Sequence, residues 1–352
     1  MNATFHKLTV ADVVRETDQA NSISFQVPPE LTETFAWRAG QHITVRFELA
    51  GEEVRRSYSI SSSPHDRAPL RITVKRVSGG IASNHINDAI KPGMEIEALP
   101  PFGSFCLDAE PMGRRTHYFF AAGSGITPIF AMINAVLSAE PYSVVYLAYG
   151  NTNADSVIFR DAIGELATAH SDRFAVAHLF SAPSIWKSEP YWRRGKLDAA
   201  AVAQFIVEHP PYAQDTQYFI CGPGSMNSHV KAALMAIDVP PSRIHMESFG
   251  GGEVDDSVEG VAASAQVQLD GQQHEVSITA GQTLLEALRA AGLEPPYSCQ
   301  AGVCSACRAK LTEGSVHMRA RMALEDHEVE AGHILTCQSV ATSDHLEVTF
   351  AP

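Results

Sequence analysis

No segment of this 352-residue chain holds the ~18 consecutive apolar residues that a membrane-spanning helix needs. The first thirty residues also lack a basic start followed by an apolar run, so no secretory leader is expected and the chain reads as cytoplasmic, with no membrane partner. Positive charge is scarce: 26 Lys and Arg stand against 40 Asp and Glu, a formal net charge of −14. That balance excludes nucleic acid as an expected partner, because neutralising phosphates takes clustered Lys and Arg. It leaves room for an acidic surface that docks a basic protein. Only six cysteines occur, and in a reducing compartment their first use is not a disulfide framework. Neither a G-x-S-x-G nucleophile turn nor an H-E-x-x-H zinc-protease motif is present, which removes two hydrolytic readings. There is no internal repeat.

What is present falls into three textures. Residues 1–110 are short alternating runs such as HITVRFEL (42–49), RRSYSI (55–60) and LRITVKRV (70–77), separated by Gly, Pro and Ser turns. They predict a small antiparallel β-barrel. Residues 111–249 repeat an apolar strand, a Gly-rich turn and a helix, as in HYFFAAGSG followed by ITPIFAMINAVLSAE. Near-continuous apolar strands alternating with helices predict an α/β domain with a parallel sheet covered on both faces. Residues 250–265, GGGEVDDSVEGVAASA, hold four acids and no base and read as a flexible linker. Residues 266–352 read as an α+β domain of the β-grasp type, one helix packed on a mixed sheet.

Three of the six cysteines lie in CQAGVCSAC, and the next is Cys337, so Cys299, Cys304, Cys307 and Cys337 are spaced C-x4-C-x2-C-x29-C. Four soft thiolates suit a two-iron cluster, and this is the plant-type ferredoxin spacing. A zinc ribbon uses two C-x2-C knuckles, and here there is one. The small residues Ala301, Gly302, Ser305 and Ala306 allow the backbone to fold over a cluster and aim N–H groups at its sulfurs. With this motif the chain resembles, end to end, a ferredoxin-type NAD(P)H reductase carrying a plant-type [2Fe-2S] domain at its C-terminus. It is similar to the reductase components of bacterial oxygenases, especially those of phenylacetyl-CoA epoxidase and 3-ketosteroid hydroxylase systems.

The resemblance gives the remaining motifs an expected role. Arg56-Ser57-Tyr58-Ser59 is similar to the family's R-x-Y-S/T flavin motif: an Arg fork for phosphate, an aromatic ring over the isoalloxazine and a hydroxyl near its N5. Read alone, the same four residues suit a solvated strand face. Val74 and Lys75 lead into a turn with Gly79, Gly80 and Ser83 that opens a helix, where backbone N–H groups suit a pyrophosphate. The plain alternative is an ordinary turn and cap. PPFGSF (100–105) is similar to the loop of FAD-binding members, while HMESFG (245–250) has a counterpart in FMN-binding relatives, and FAD is the expected flavin.

Gly123, Gly125, Thr127 and Pro128 form the family's G-x-G-x-T-P turn between strand and helix, which suits a dinucleotide diphosphate. Cys221, Gly222 and Pro223 match its C-G-P motif beside the nicotinamide, although Cys221 alone reads as a buried core thiol. Cys106 reads as a strand hydrophobe. Glu247 and Phe249 occupy the family's terminal E-x-F position near the flavin. The resemblance therefore implies catalytic roles for Ser59, Cys221 and Glu247. NADH and NADPH both stay open: the Ser-Arg pair common in NADPH users is here Ser181-Ala182, with Arg160, Arg193 and Arg194 as substitutes.

The module order implies a hydride pair entering FAD, single electrons leaving through the cluster, and a terminal oxygenase as partner. The oxygenase's substrate would be aromatic, a CoA thioester or a steroid. Two other functions fit the same modules: a reductase for another redox partner such as a hybrid-cluster protein, and a redox-sensing or docking module built on the cluster.

Overall fold

A computed structural model describes residues 4–66, 68–183, 192–249, 255–324 and 326–350. The first strands are β1 His6–Thr17, β2 Ala20–Gln26, β3 His42–Leu49, β4 Glu52–Ser59 and β5 Arg71–Lys75, followed by helix α1 Ile81–Ala89 and strand β6 Glu95–Ala98. They form one six-stranded sheet in the order β4-β3-β6-β1-β2-β5. A bridge between Ile60, just past β4, and Ile72 on β5 brings its two outer strands together, so the sheet curls into the barrel that the alternating runs predict. The inward residues Leu8, Ile23, Phe25, Ile43, Val45, Ile72 and Val74 fill it.

Strands β7 Arg115–Ala122, β8 Val144–Asn151, β9 Phe174–Phe180, β10 Trp192–Arg194, β11 Asp215–Gly222 and β12 Ile244–Ser248 form the second sheet, in the order β10-β9-β8-β7-β11-β12. All its pairings are parallel. Its helices are α2 Ile126–Ala139, α3 Arg160–Ala169, α4 Ala199–Glu208 and α5 Gly224–Met235. Separate apolar clusters on the two faces, one around Phe119 and Ile129 and one around Tyr118 and Phe205, explain why these strands are apolar almost throughout.

The last region holds β13 Ala263–Leu269, β14 Gln272–Ile278, α6 Leu284–Ala290, β15 Arg308–Glu313, β16 Val316–Met318, α7 Asp326–Glu330, β17 His333–Leu335, β18 Ser339–Ala341 and β19 His345–Thr349. Its main sheet runs β14-β13-β19-β15-β17, with β13 and β19 parallel and the other pairs antiparallel. Helix α6 starts from a capping box between Thr283 and Glu286 and buries Leu284, Ala287 and Leu288 against the sheet. The acidic stretch before it is partly folded. Asp255 donates its N–H to Arg319 O at 2.7 Å, Asp256 lies 3.3 Å from Arg319, and β13 begins within the stretch at Ala263.

The chain divides into two compact units, one of His6–Val54 with Tyr58–Phe249, the other of Gly250–Pro352 with Met1–Phe5 and Arg55–Ser57. Among the described residues no helix is long and apolar enough to cross a membrane.

Candidate functional site

The carboxyl-terminal ends of the parallel strands border a cavity of about 640 Å³. Its floor is built by glycine. Gly123 has φ +53°, which a side chain disfavours, and a Cβ on Gly125 would stand 2.0 Å from Cys221 O. The Gly125 position therefore lets α2 begin directly against the end of β11. A 3-10 turn over Gly123–Gly125 runs straight into α2, where the Ile126 N–H donates to Gly123 O and Ser124 O; no side chain caps the turn, so the N–H groups that open it are the ones left for an anion. The Lys75 ammonium lies 3.5 Å from where a Gly123 Cβ would be, so a cation and a helix start face the same place.

The lining of this cavity brings together Lys75, Gly123, Gly125, Gly222, Pro223 and Phe249 from the motifs, together with Ser181. Other motif residues work beneath the surface. Thr127 Oγ1 donates to Ser124 O at 2.9 Å and holds the turn, and Pro128 is buried in the first turn of α2. Cys221 is fully buried between β7 and β12, its thiol pushed well up by desolvation and by nearby Glu247. Arg193 is ion-paired with Glu208, Arg194 is exposed, and Arg160 begins α3. Among the lining residues that were not foreseen are Asn151, Thr152, Lys196 and His229. A signal existed for two of them, since Asn151 ends and Thr152 follows a strand next to the glycine turn, where open parallel sheets bind ligands.

On the barrel, Ser59 is buried at the end of β4 and its hydroxyl donates to Glu247 Oε2 at 3.4 Å. Glu247 sits on β12 directly beside Cys221. Desolvation pushes its carboxyl up to about 8, with the Ser59 hydroxyl pulling the other way, so this half-buried side chain holds a proton near neutral pH. Asn227 on α5 fixes the end of β12, its side-chain amide donating to Glu247 O and Ser248 Oγ at 2.8 Å each. Phe249 follows, its N–H donating to Gly222 O at 3.3 Å.

Tyr58 packs on the barrel core, and Arg56 on the same strand is exposed with its guanidinium donating to Arg55 O at 2.7 Å. Ser57 lies between them on β4. Val74 points into the barrel core. Gly79 has φ +71°, Gly80 precedes α1 without a side-chain cap, and the Ser83 hydroxyl is spent on the turn, accepting from Val77 N–H at 3.2 Å and donating to Gly80 O at 3.3 Å. What this turn offers an anion is backbone N–H.

In the last region Gln300, Gly302 and Ser305 all have positive φ, and the chain winds tightly around the sulfurs. The Cys299 N–H points at Cys304 Sγ and the Ala301 N–H at Cys299 Sγ, each at 3.4 Å. A Cβ on Gly302 would come within 2.7 Å of Ala320 O, so only glycine fits that point of the wrap. Hydrogen bonds from Cys304 and from the Ala301, Val303 and Cys304 N–H groups pull the Cys299 thiol down to about 6 against desolvation. Cys307 and Cys337 form a second close pair that shares a proton in the same way, with Cys307 raised and Cys337 lowered. Four converging sulfurs met by backbone donors fit a [2Fe-2S] cluster.

Three family profiles match the chain: "Oxidoreductase FAD-binding domain" over residues 7–106, "Oxidoreductase NAD-binding domain" over 119–232 and "2Fe-2S iron-sulfur cluster binding domain" over 267–342. The chain is 40% identical over 363 residues to the ferredoxin reductase component of 3-ketosteroid-9-alpha-monooxygenase from Mycobacterium tuberculosis (strain CDC 1551 / Oshkosh), covering 98% of this chain and 95% of that protein. It is 34% identical over 353 residues to one of the subunits of 1,2-phenylacetyl-CoA epoxidase from Escherichia coli (strain K12), covering 99% and 98%. In fold it is similar to phthalate dioxygenase reductase, with a TM-score of 0.61 and 24% identity over 98% of each chain.

Proposed function

This chain belongs to the family of ferredoxin-type NAD(P)H reductases with FAD-binding, NAD-binding and 2Fe-2S domains, and we propose that it feeds electrons to a separate terminal oxygenase acting on a steroid or a CoA thioester. It is an NAD(P)H-dependent flavin and iron–sulfur oxidoreductase whose cofactors are FAD and a [2Fe-2S] cluster. The oxygenase reading is carried by one observation, its likeness over 98% or more of its length to two components of oxygenase systems.

FAD, when bound, would supply the conversion of one hydride's electron pair into single electrons for a [2Fe-2S] cluster to pass on one at a time. The chain's own residues prepare for this in separate ways. Gly123 and Gly125 expose the start of α2, and the Lys75 ammonium adds positive charge for the nucleotide's diphosphate. Pro223 and Phe249 border the same cavity and shape the nicotinamide end. Glu247 holds a proton under the Ser59 hydroxyl, which presents a neutral, hydrogen-bonding edge to the flavin ring. Arg56, Ser57 and Tyr58 on β4, with the N–H groups that follow Gly79 and Gly80, hold the flavin and its phosphates. Cys299, Cys304, Cys307 and Cys337 supply the iron ligands.

Cys304→Ser tests this division. Oxygen binds iron less well than sulfur, so the cluster should be lost or labile, while the flavin and nucleotide residues are untouched. NAD(P)H-dependent ferricyanide reduction should stay near the wild-type rate, and cytochrome c or oxygenase reduction should fall by about tenfold or more. If both activities fall equally in protein that is folded and loaded with flavin, electrons do not leave through the cluster.

A further inference from the structure

The sheet order ranks the strand ends along the cavity: Phe249 after β12, Gly222 on β11, Gly123 after β7, Asn151 on β8, Ser181 after β9, and Lys196 after β10. With the glycine turn after β7 as the diphosphate seat and Phe249 to one side, the adenosine half falls on the other side, over β8, β9 and β10. Here we propose that Lys196 makes NADPH the preferred nucleotide by holding its 2′-phosphate. This rests on the nucleotide cavity read above and names which nucleotide it takes.

Three features support the assignment. First, strand β10 runs parallel to β9 with Arg194 opposite Phe180, and the Gly195 N–H donates to Phe180 O at 2.9 Å. Lys196 follows two residues beyond β10, so a cation stands at the strand end next to that of β9, where Ser181-Ala182 carries none. From β7 to β10 is three strand spacings of ~4.8 Å, roughly 14 Å, and the flexible Lys stem can lean back over β9.

Second, the charge there is unbalanced. Among the described residues no carboxylate pairs with Lys196, whereas Arg193 is committed to Glu208. Third, the strand end that would carry an acid for the ribose hydroxyls of NADH reads Gly150-Asn151-Thr152. Asp198 also borders the cavity, but its Oδ1 accepts the Ala201 N–H at 2.9 Å and caps α4. An ammonium that borders the cavity with no ion-pair partner among the described residues, beside a carboxylate turned to its own helix start, can still give a phosphate a charge-assisted hydrogen bond that a pair of hydroxyls would use less well.

The test uses the full flavin- and iron-loaded protein, with Lys196→Ala and Lys196→Arg. Titration should show 2′,5′-ADP binding the wild type more tightly than 5′-ADP, and Lys196→Ala should cost 2′,5′-ADP about 10- to 100-fold in affinity, the range for a hydrogen bond to a charged group. The kcat/KM for NADPH should fall by the same factor, that for NADH several-fold less, and Lys196→Arg should restore most of the loss. The assignment is overturned if 2′,5′-ADP binds the wild type no better than 5′-ADP. It is also overturned if Lys196→Ala weakens both ligands equally, which would move Lys196 to the diphosphate. If neither nucleotide reduces the flavin, the functional reading itself fails and takes the assignment with it.

Discussion

The two ends of the parallel sheet are built on opposite plans. At the carboxyl-terminal end, glycine at 123, 125, 150 and 222 removes side chains and leaves N–H groups and a cavity. At the amino-terminal end the space is filled by one carboxylate. Glu140, fully buried just past α2, accepts from Arg115 Nε at 3.3 Å, Ser143 Oγ at 2.6 Å and the Glu110 N–H at 3.0 Å, and meets His117 Nε2 at 3.1 Å. Arg173 lies against the last carbonyls of the same helix, donating to Glu140 O at 3.1 Å, where a cation offsets the helix dipole. One helix thus has its positive end left open and its negative end closed. The difference separates binding from stability: backbone N–H groups are left open where a ligand is to supply the partner, whereas the Glu140 carboxylate at the other end is satisfied by the chain itself.

Glu140→Ala should give the largest effect. Removing one member of a buried charge network strands the others, and a loss of about 3 kcal/mol in unfolding free energy is expected. Desolvation opposes ionisation of Glu140, but hydrogen bonds from His117, Arg115 and Ser143 win and hold the carboxyl down to about 2. Its contribution is therefore complete above the ordinary carboxylate value of 4.5 and disappears as pH falls toward 2. Denaturant midpoints at pH 7 and pH 3 measure both parts. Flavin content and KM for NAD(P)H should change little, and a large rise in KM would show that the two ends are not independent.

The sequence read well where a single residue type is required by local geometry. The cysteine spacing and the glycine turn both belong to that class: iron accepts few ligand types, and a Cβ at 125 or 302 would overlap backbone. Strand and helix positions were also legible, because apolar period and turn residues are local, and β3 runs over the HITVRFEL segment from His42 to Leu49.

What could not be read depends on pairing across the chain. Lys196 borders the cavity only because β10 joins β9 in a given register, and nothing near it in the sequence marks it. Glu140 follows an apolar helix with nothing beside it in the sequence to mark it, because its partners Arg115 and His117 come from the preceding strand. Motif membership also concealed a division of labour. Thr127 and Ser83 belong to the recognised motifs, but their hydroxyls are engaged in holding turns.

Gly125→Ala attacks the open end and should have an intermediate effect. The added methyl would stand 2.0 Å from Cys221 O and 2.8 Å from Gly222 N, both backbone atoms that cannot swing away. The start of α2 must move off β11, and nucleotide binding should weaken about tenfold, ~1.4 kcal/mol. Barrel and cluster should keep their cofactors. The NAD(P)H titration of flavin-loaded protein reads the loss, and wild-type affinity would mean that the cavity floor tolerates the shift and is not the diphosphate seat.

The effect at Glu247 is set by pH and vanishes at the acid end of its window. Desolvation raises its carboxyl from 4.5 to about 8 in the folded protein, while the unfolded chain ionises near the lower value. Below 4.5 both states hold the proton and the group is neutral in its influence. Between 4.5 and 8 the unfolded state releases the proton and the folded state keeps it, so wild-type stability declines through this window as pH rises. Glu247→Gln keeps the shape and an acceptor for the Ser59 hydroxyl but cannot ionise, so it escapes the decline. Melting temperatures of the variant and the wild type should therefore converge near pH 4.5 and separate progressively toward pH 8. Two curves that run parallel across the window would mean that Glu247 ionises normally in the folded chain, and a protonated, neutral edge facing the flavin could no longer be assigned to it.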